Sequence, residues 1–531
     1  MLMGYDEDTQ ARAARRKKRK RRQRTMGVIL LLFLILVIAG VGYYIVFGNS
    51  KVNPELIKNS LGTAGNAVSG LIQTGKDALP DSIKEKLPSG WFETETETES
   101  ETETEAPTET ETETEDHSDE EAAQLIAEAD AMAVSYDYDG AAEHLKASDL
   151  YAVRTDLQQK VSEYETQKAA CVAIAPEDVT HVFYHTLVVD PSKAFNPDLD
   201  GYAGWQQWMT TISEFDEITQ EMYDRGYVLV SIHDLIKKTT NEDGSVTIEP
   251  NNIYLPEGKK AFVLSLDDLC YYHTYDNHGV ASKIVLDENG KPTCEYVQDD
   301  GTVVTGAYDA VPRMDAFLEE HPDGCYKGAR GIIALTGYNG ILGYRTDGTY
   351  SEDHNTNSEV YYRDDLQSEW LANHPDFDWE QECEDAKKVV EAMKADGWEF
   401  ASHTWGHKNV GETDYDDLVR DTERWFEYVS PLIGETDAII FAHGADISSS
   451  GYTEDNAKYT YFKSKGFDIY CPVDSVPYTT TVTSEYLHQG RRNLDGYRIY
   501  NDAISDNPMT ADLFDASKVL DPDRPLPVPD L

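Results

Sequence analysis

Ala261-Phe262-Val263-Leu264-Ser265-Leu266-Asp267-Asp268 is the stretch that decides the fold class. Apolar or small residues run straight into two adjacent carboxylates. That pattern reads as a buried parallel strand ending at the open face of an α/β fold, the edge where such folds keep their ligands and catalytic groups. A second stretch repeats the design: Trp398-Glu399-Phe400-Ala401-Ser402 is strand-like and delivers His403-Thr404-Trp405-Gly406-His407. Two histidines four apart share one face of a helical turn and can hold one ion between them. An Asp from the first strand end and both histidines from the second make a three-ligand set. Such a set leaves a position open for water, as catalytic metal sites do and structural ones do not. Each half also has a plainer reading, since an Asp pair caps helix N-termini and paired histidines cover a helix face. Their order, each at the end of an apolar run, favours the metal.

The Asp267-Asp268 pair followed downstream by His403-Thr404-x-x-His407 resembles the polysaccharide deacetylases (the NodB-like domain, carbohydrate esterase family 4), over about Val179 to Asp502. The resemblance implies an α/β fold with a distorted (β/α) barrel. It assigns Asp268, His403 and His407 to a divalent metal, with zinc expected, and Asp267 to the general base. His488, in Tyr486-Leu487-His488-Gln489-Gly490, is its candidate for the acid that protonates the departing amine. The implied activity is hydrolysis of N-acetyl, or O-acetyl, groups of a cell-wall or surface polysaccharide. A non-catalytic glycan-binding or regulatory ectodomain on the same barrel is the alternative.

Two departures bear on that alternative. After Asp268 the chain reads Leu269-Cys270-Tyr271-Tyr272-His273 where the family continues with Gly, and it then inserts Lys283 to Val297, a hairpin around Glu288-Asn289-Gly290. The family's Arg-x-Pro segment, whose Arg steadies the catalytic Asp, is matched by Phe441-Ala442-His443-Gly444-Ala445-Asp446, without the Arg. Either Arg491 or Arg492 fills the role, or the base is less well poised. His443 either touches the metal site or caps a loop. Tyr271, Tyr272, Tyr344 and Trp405 either stack on sugar rings or pack the barrel mouth.

Lys plus Arg number 46 against 98 Asp plus Glu in 531 residues, a net charge of −52 that argues against nucleic acid as a partner. Six cysteines without C-x-x-C pairing give no zinc knuckle or redox motif. Within residues 1–26, Arg12 to Arg24 hold ten basic residues in thirteen positions, a cytoplasmic tail. Gly27 to Phe47 then supplies 21 uncharged residues, about 30 Å of helix and one bilayer core, ending in a bulky aromatic belt instead of a cleavage site. The basic flank places the N-terminus in the cytoplasm, making a single-pass protein of the bacterial cell membrane with its catalytic domain outside. Residues 48–118 form a flexible linker. From Glu93 to Glu115 it alternates Glu with Thr, eleven Glu and no basic residue, an extended disordered spacer reaching at most roughly 75 Å. Residues 119–175 read as a helical hairpin, a stalk or a surface for a protein partner, and 176–531 as the deacetylase-like domain. Strands alternate there with helices such as Trp205 to Arg225 and Trp379 to Asp396, which predicts parallel pairing.

Overall fold

Alternation of period two along the strands sorts their side chains onto the two faces of one curled sheet. The computed structural model describes residues 118–199, 201–242, 244–351, 363–447 and 451–530. The basic tail, the apolar span 27–47 and the Glu-Thr linker lie outside the described residues. Among those described, no helix is long and apolar enough to cross a membrane.

Helices α1 (Ser118–Val134), α2 (Tyr138–Lys146) and α3 (Thr155–Ala169) come first. The main sheet then uses β1 (Thr180–Tyr184), β2 (Tyr227–Leu229), β3 (Lys260–Asp267), β4 (Ile332–Leu335) and β5 (Glu399–Ser402). It continues with β6 (Ala438–Ile440), β7 (Ile469–Cys471), β8 (Thr480–Val482), β9 (Leu487–Gln489) and β10 (Arg492–Asn493). Between them run α4 (Ile212–Asp224), α5 (Ala310–Glu320), α6 (Asp365–Asn373), α7 (Trp379–Ala395), α8 (Tyr415–Tyr428) and α9 (Ala457–Ser464), and α10 (Gly496–Ala503) follows β10. The strand order is β8-β9-β7-β6-β5-β4-β3-β1-β10, with β2 also on β3, and the sheet curls into a half-barrel. Every pairing is parallel except β8 with β9. The short segment 487–493 pairs first with β7 and then with β1, so it touches both limbs of the curl.

The quoted strand is central: β1 lies on one edge of β3, and β2 and β4 share the other at successive heights. One face carries Val263, Ile332, Ala334, Ala401, Ala438 and Ile440, packed in one cluster with Ala129, Leu145 and Leu157 of the N-terminal helices. Alanines on facing strands leave the interior room for the polar groups above them. The other face sends Leu264, Leu266, Ile333 and Phe400 against Phe215, Ile218, Val389 and Trp425 of the outer helices. Each such fully buried leucine contributes about 1.5–3 kcal/mol.

Two elements differ from expectation. The helix expected over Trp205 to Arg225 is two helices, Tyr202–Trp208 and α4. Thr211 starts the second one, because its side chain accepts from the Glu214 amide while the Glu214 carboxylate accepts from the Thr211 amide. The inserted hairpin, Lys283–Leu286 with Pro292–Val297, gains a third antiparallel strand, Val303–Gly306.

The N-terminal edge of the sheet is tied by charge. His233, just after β2, sets Nδ1 2.9 Å from Glu399 at the start of β5 and Nε2 2.8 Å from Asp437, which precedes β6. Burial opposes a charge on His233, but Asp437 and Glu399 together raise its pKa from 6.5 to about 10. A raised folded-state pKa means stability is fully present below about pH 6.5 and is lost as pH rises toward about 10. Urea denaturation across that window should therefore show a falling unfolding free energy, and His233→Gln should flatten the slope.

Candidate functional site

Asp267 ends β3 pointing, like Ser265 and Val263, to the sheet's inner face. A regular strand would send the next carboxylate to the opposite face. Instead Asp268 takes a left-handed conformation, φ 58°, which breaks the pleat and keeps both acids, 3% and 6% exposed, on one cavity. Such backbone costs of order 1–3 kcal/mol in a non-glycine residue and persists only where its surroundings fix it. Here the Asp268 amide bonds the Ala334 carbonyl at 3.2 Å, and the Tyr272 hydroxyl donates to Asp268 Oδ1 at 2.6 Å.

The two motif histidines do not sit on a helical turn. Residues 403–407 form an irregular loop after β5, with positive φ at Thr404 and His407. Asp421, on α8, supplies the brace: its carboxylate accepts from the amides of Trp405 (2.7 Å) and Gly406 (2.8 Å). Nothing in the motif itself marked Asp421. The loop nonetheless brings the histidines together, with ring centroids 5.2 Å apart. His403 Nδ1 lies 2.7 Å from the Ile440 carbonyl. A carbonyl only accepts, so Nδ1 carries the hydrogen and Nε2 presents its lone pair to the cavity. His407 Nε2 stands 3.3 Å from Asp268 Oδ2.

One ligand atom from each of Asp268, His403 and His407 lies within 4.8 Å of the others, on the scale of two metal–ligand bonds of about 2 Å each. The donor set is one carboxylate oxygen and imidazole nitrogens, chemistry that suits zinc among several divalent ions. The residues present therefore fit a metal. Burial pushes His403 down to about 4, so its imidazole is neutral, as a ligand must be. For Asp268 burial acts upward, but His407 and then His403 outweigh it and hold the acid ionised, well below its ordinary value. Burial likewise lowers His407, and Asp268 reverses that and raises it.

The missing arginine arrives from far along the chain. Arg491 is fully buried and its Nη1 donates to both oxygens of Asp267, at 2.7 and 2.9 Å, and to Ser265 Oγ at 3.1 Å. Its guanidinium also lies 4.3 Å over the Phe183 ring. Arg492 turns the other way, to Asp512 at 2.7 Å.

His488 is not brought to the cavity. Its Nε2 is 3.0 Å from Asp446, and Tyr452 packs edge-on against its ring, so this histidine is held among the aromatic residues behind β7 and β9. His185 lines the cavity instead, one residue past the end of β1 and beside β3. Its Nδ1 lies 3.2 Å from the Trp208 carbonyl, to which it must donate, and its Nε2 has no hydrogen-bond partner among the described residues. Its position was legible: it ends the first strand as the Asp pair ends β3. His443 lines the cavity with its ring 4.3 Å from that of His407, and its Nε2 donates to the His407 carbonyl at 3.1 Å. The cavity measures about 670 Å³, and Trp208, 50% exposed, stands at its wall. Of the four aromatic residues singled out in the sequence, only Tyr272 lines it. Tyr271 and Tyr344 are buried, and Trp405 lies under the Arg424 guanidinium at 3.5 Å.

No family model matches the chain, and no curated protein matches it. Among solved structures it is similar to the Streptococcus pyogenes deacetylase PplD in complex with acetate, at 12% identity over 66% of this chain and 100% of that one, with a TM-score of 0.30. It is also similar to the BpsB deacetylase domain from Bordetella bronchiseptica, at 13% identity over 60% of this chain and 97% of that one, with a TM-score of 0.28.

Removing one partner of a buried ion pair strands the other, at a cost of about 3–5 kcal/mol. Arg491→Met should lower the unfolding free energy by that amount in urea titrations. Arg491→Lys should recover part of it, because an ammonium keeps the charge but not the planar fork.

Proposed function

We propose that the protein is a metal-dependent deacetylase that hydrolyses N-acetyl groups of a cell-wall or surface polysaccharide. The observation that carries the reading is the convergence, at one strand edge, of a three-donor set with a separate carboxylate fixed by its own buried cation. In this reading Asp268, His403 and His407 hold the ion. A divalent cation bound there, zinc being one of those the donor set suits, would polarise the acetyl carbonyl and lower the pKa of a neighbouring water.

The chain's own residues supply the rest. Asp267 takes the proton from the attacking water. With both its oxygens on Arg491 Nη1, it cannot rotate away from that water. An amine leaves poorly unless protonated, and His185 is the donor in this reading: with Nδ1 committed to the Trp208 carbonyl, a proton on Nε2 faces the cavity. It replaces His488, whose nitrogen is engaged by Asp446. The His407–His443 pair closes the opposite wall, and Trp208 offers a ring to the sugar. The apolar run 27–47 anchors the chain in the membrane, and the Glu-Thr spacer lets the domain reach a glycan layer outside. The alternative of a non-catalytic ectodomain rests on the missing arginine and on the rebuilt loop after Asp268, and Arg491 on Asp267 answers the first of these.

The test is metal content and acetate release by the full chain. About one metal per chain should be lost in Asp268→Ala and His403→Ala, while Asp267→Asn should keep the metal and lose turnover. His185→Gln should lower kcat by about 10²–10⁴-fold with metal retained, the usual worth of a general acid. N- and O-acetylated glycans compared side by side separate an amidase from an esterase. A wild-type chain that is folded and takes up no metal sinks the hydrolase reading.

A further inference from the structure

The short helix Tyr202–Trp208 ends beside the cavity, and the end of a helix leaves carbonyls without partners inside the helix. Two side chains claim three of the carbonyls there. His185 Nδ1 takes that of Trp208 at 3.2 Å. Arg524 takes one before it and one after it: Nη1 donates to Gln206 and Nη2 to Met209, each at 2.9 Å. The carbonyl that faces the proposed acid is thus set between two others held by one planar group.

Arg524 is itself fixed from several sides. Its side chain and that of Glu214 are fully buried, and Nε and Nη2 donate to the two Glu214 oxygens, Nε at 2.7 Å. The guanidinium lies 4.6 Å over the Phe195 ring. Glu214 also accepts from the Thr211 amide, as the cap of α4, and from the Asp521 amide. Asp521 accepts in turn from the hydroxyls of Thr211 and Ser213, and the Gln207 side chain donates to the carbonyls of Pro529 and Asp530. Residues 521–530 are therefore tied at both ends across the end of the short helix. The start of α10 closes on the same spot, where a Cβ on Gly496 would collide with the Gln206 carbonyl and with Arg524 Nη1.

A buried ion pair adds little stability over apolar side chains of similar volume, so cohesion alone does not call for this one. What apolar side chains cannot supply is a rigid fork of donors reaching two carbonyls and a carboxylate at once. The geometry points to Arg524 as a positioning residue for His185: by holding the Gln206 and Met209 carbonyls it aims the Trp208 carbonyl at Nδ1, and so keeps Nε2 turned to the cavity. This rests on the deacetylase reading and adds to it what orients the acid. The Trp208 ring, on the same residue, is set against the cavity by the same hold.

The experiment is a double-mutant cycle on the full chain. Arg524→Met with Glu214→Gln removes both buried charges together, and Gln at 214 keeps the cap of α4, so this swap should fold and keep its metal. Arg524→Lys, which keeps the charge against Glu214 but not the fork, is carried through the same cycle as a second variant. With an N-acetylglucosamine oligomer as probe, kcat for acetate release should fall about tenfold to a hundredfold in the swap. Made on top of His185→Gln, the swap should cost nothing further, because a residue acting through His185 has nothing left to act on. Fluorine NMR of the chain labelled with 5-fluorotryptophan gives a readout besides activity: the signal assigned by Trp208→Phe should shift or split in both variants. Losses that multiply in the two backgrounds, or a Trp208 signal that does not move, overturn the positioning role. The two readings fail separately. A moved Trp208 signal in a chain whose unsubstituted form releases no acetate keeps the hold of Arg524 on this wall and removes the deacetylase. Acetate release with an unmoved signal does the opposite.

Discussion

The pairing of Arg491 with Asp267 is the interaction on which the rest of the site depends. Both partners are almost wholly out of water, where a lone carboxylate or guanidinium costs several kcal/mol, so neither is tolerable without the other. They come from distant parts of the chain. Asp267 ends the central strand, and Arg491 sits in the segment that pairs with β7 before it and β1 after it. The sheet cannot curl correctly without bringing the guanidinium onto the carboxylate. Closure of the fold and orientation of the proposed base are thus one event.

Around that pair the backbone is held in conformations it would not choose. Asp268, Tyr271, Thr404, His407 and His443 all have positive φ without being glycines, and all lie in the loops that leave the C-terminal strand ends. Each is secured by a bond to a neighbour: the Asp268 amide to Ala334, the Tyr271 hydroxyl to Asp309, the loop of Thr404 to Asp421, and the His407 carbonyl to His443. Strain gathered in these loops is what a site demands when its geometry is set by chemistry before stability.

What could be read in the sequence was whatever acts locally. The buried run into Asp267-Asp268 and the shorter run into His403 depend on side-chain alternation over a few residues, and both appear as strands ending in the expected groups. What could not be read acts across the chain. Arg491 lies 224 positions from Asp267, and only the register of 487–493 against β1 and β7 brings them together. Arg491 and Arg492 are neighbours in sequence with opposite fates, one on Asp267 and one on Asp512, because successive strand residues face opposite ways. The same alternation explains which histidine lines the cavity. Phe183 and His185 share a face of β1 that reaches the cavity, whereas His488 lies where Asp446 and Tyr452 can claim it. The break at Thr211 was visible as Thr-x-x-Glu, but helical periodicity on both sides of it masked the boundary.

The two edges of the sheet use the same residue types to different ends. At the N-terminal edge His233 has carboxylates on both nitrogens, Glu399 on Nδ1 and Asp437 on Nε2. They hold its proton up to about pH 10, so no lone pair is left and the ring is a clamp between strands. At the C-terminal edge His403 has one nitrogen on a backbone carbonyl, which brings no charge, and burial pushes its pKa down to about 4. Its second nitrogen therefore keeps a lone pair at neutral pH. A carboxylate on each side makes a histidine a cation that stabilises. A carbonyl on one side and an open cavity on the other leaves it a lone pair with which it could hold a metal. That difference in partners, more than the count of histidines and acids, assigns chemistry to one edge of this sheet and cohesion to the other.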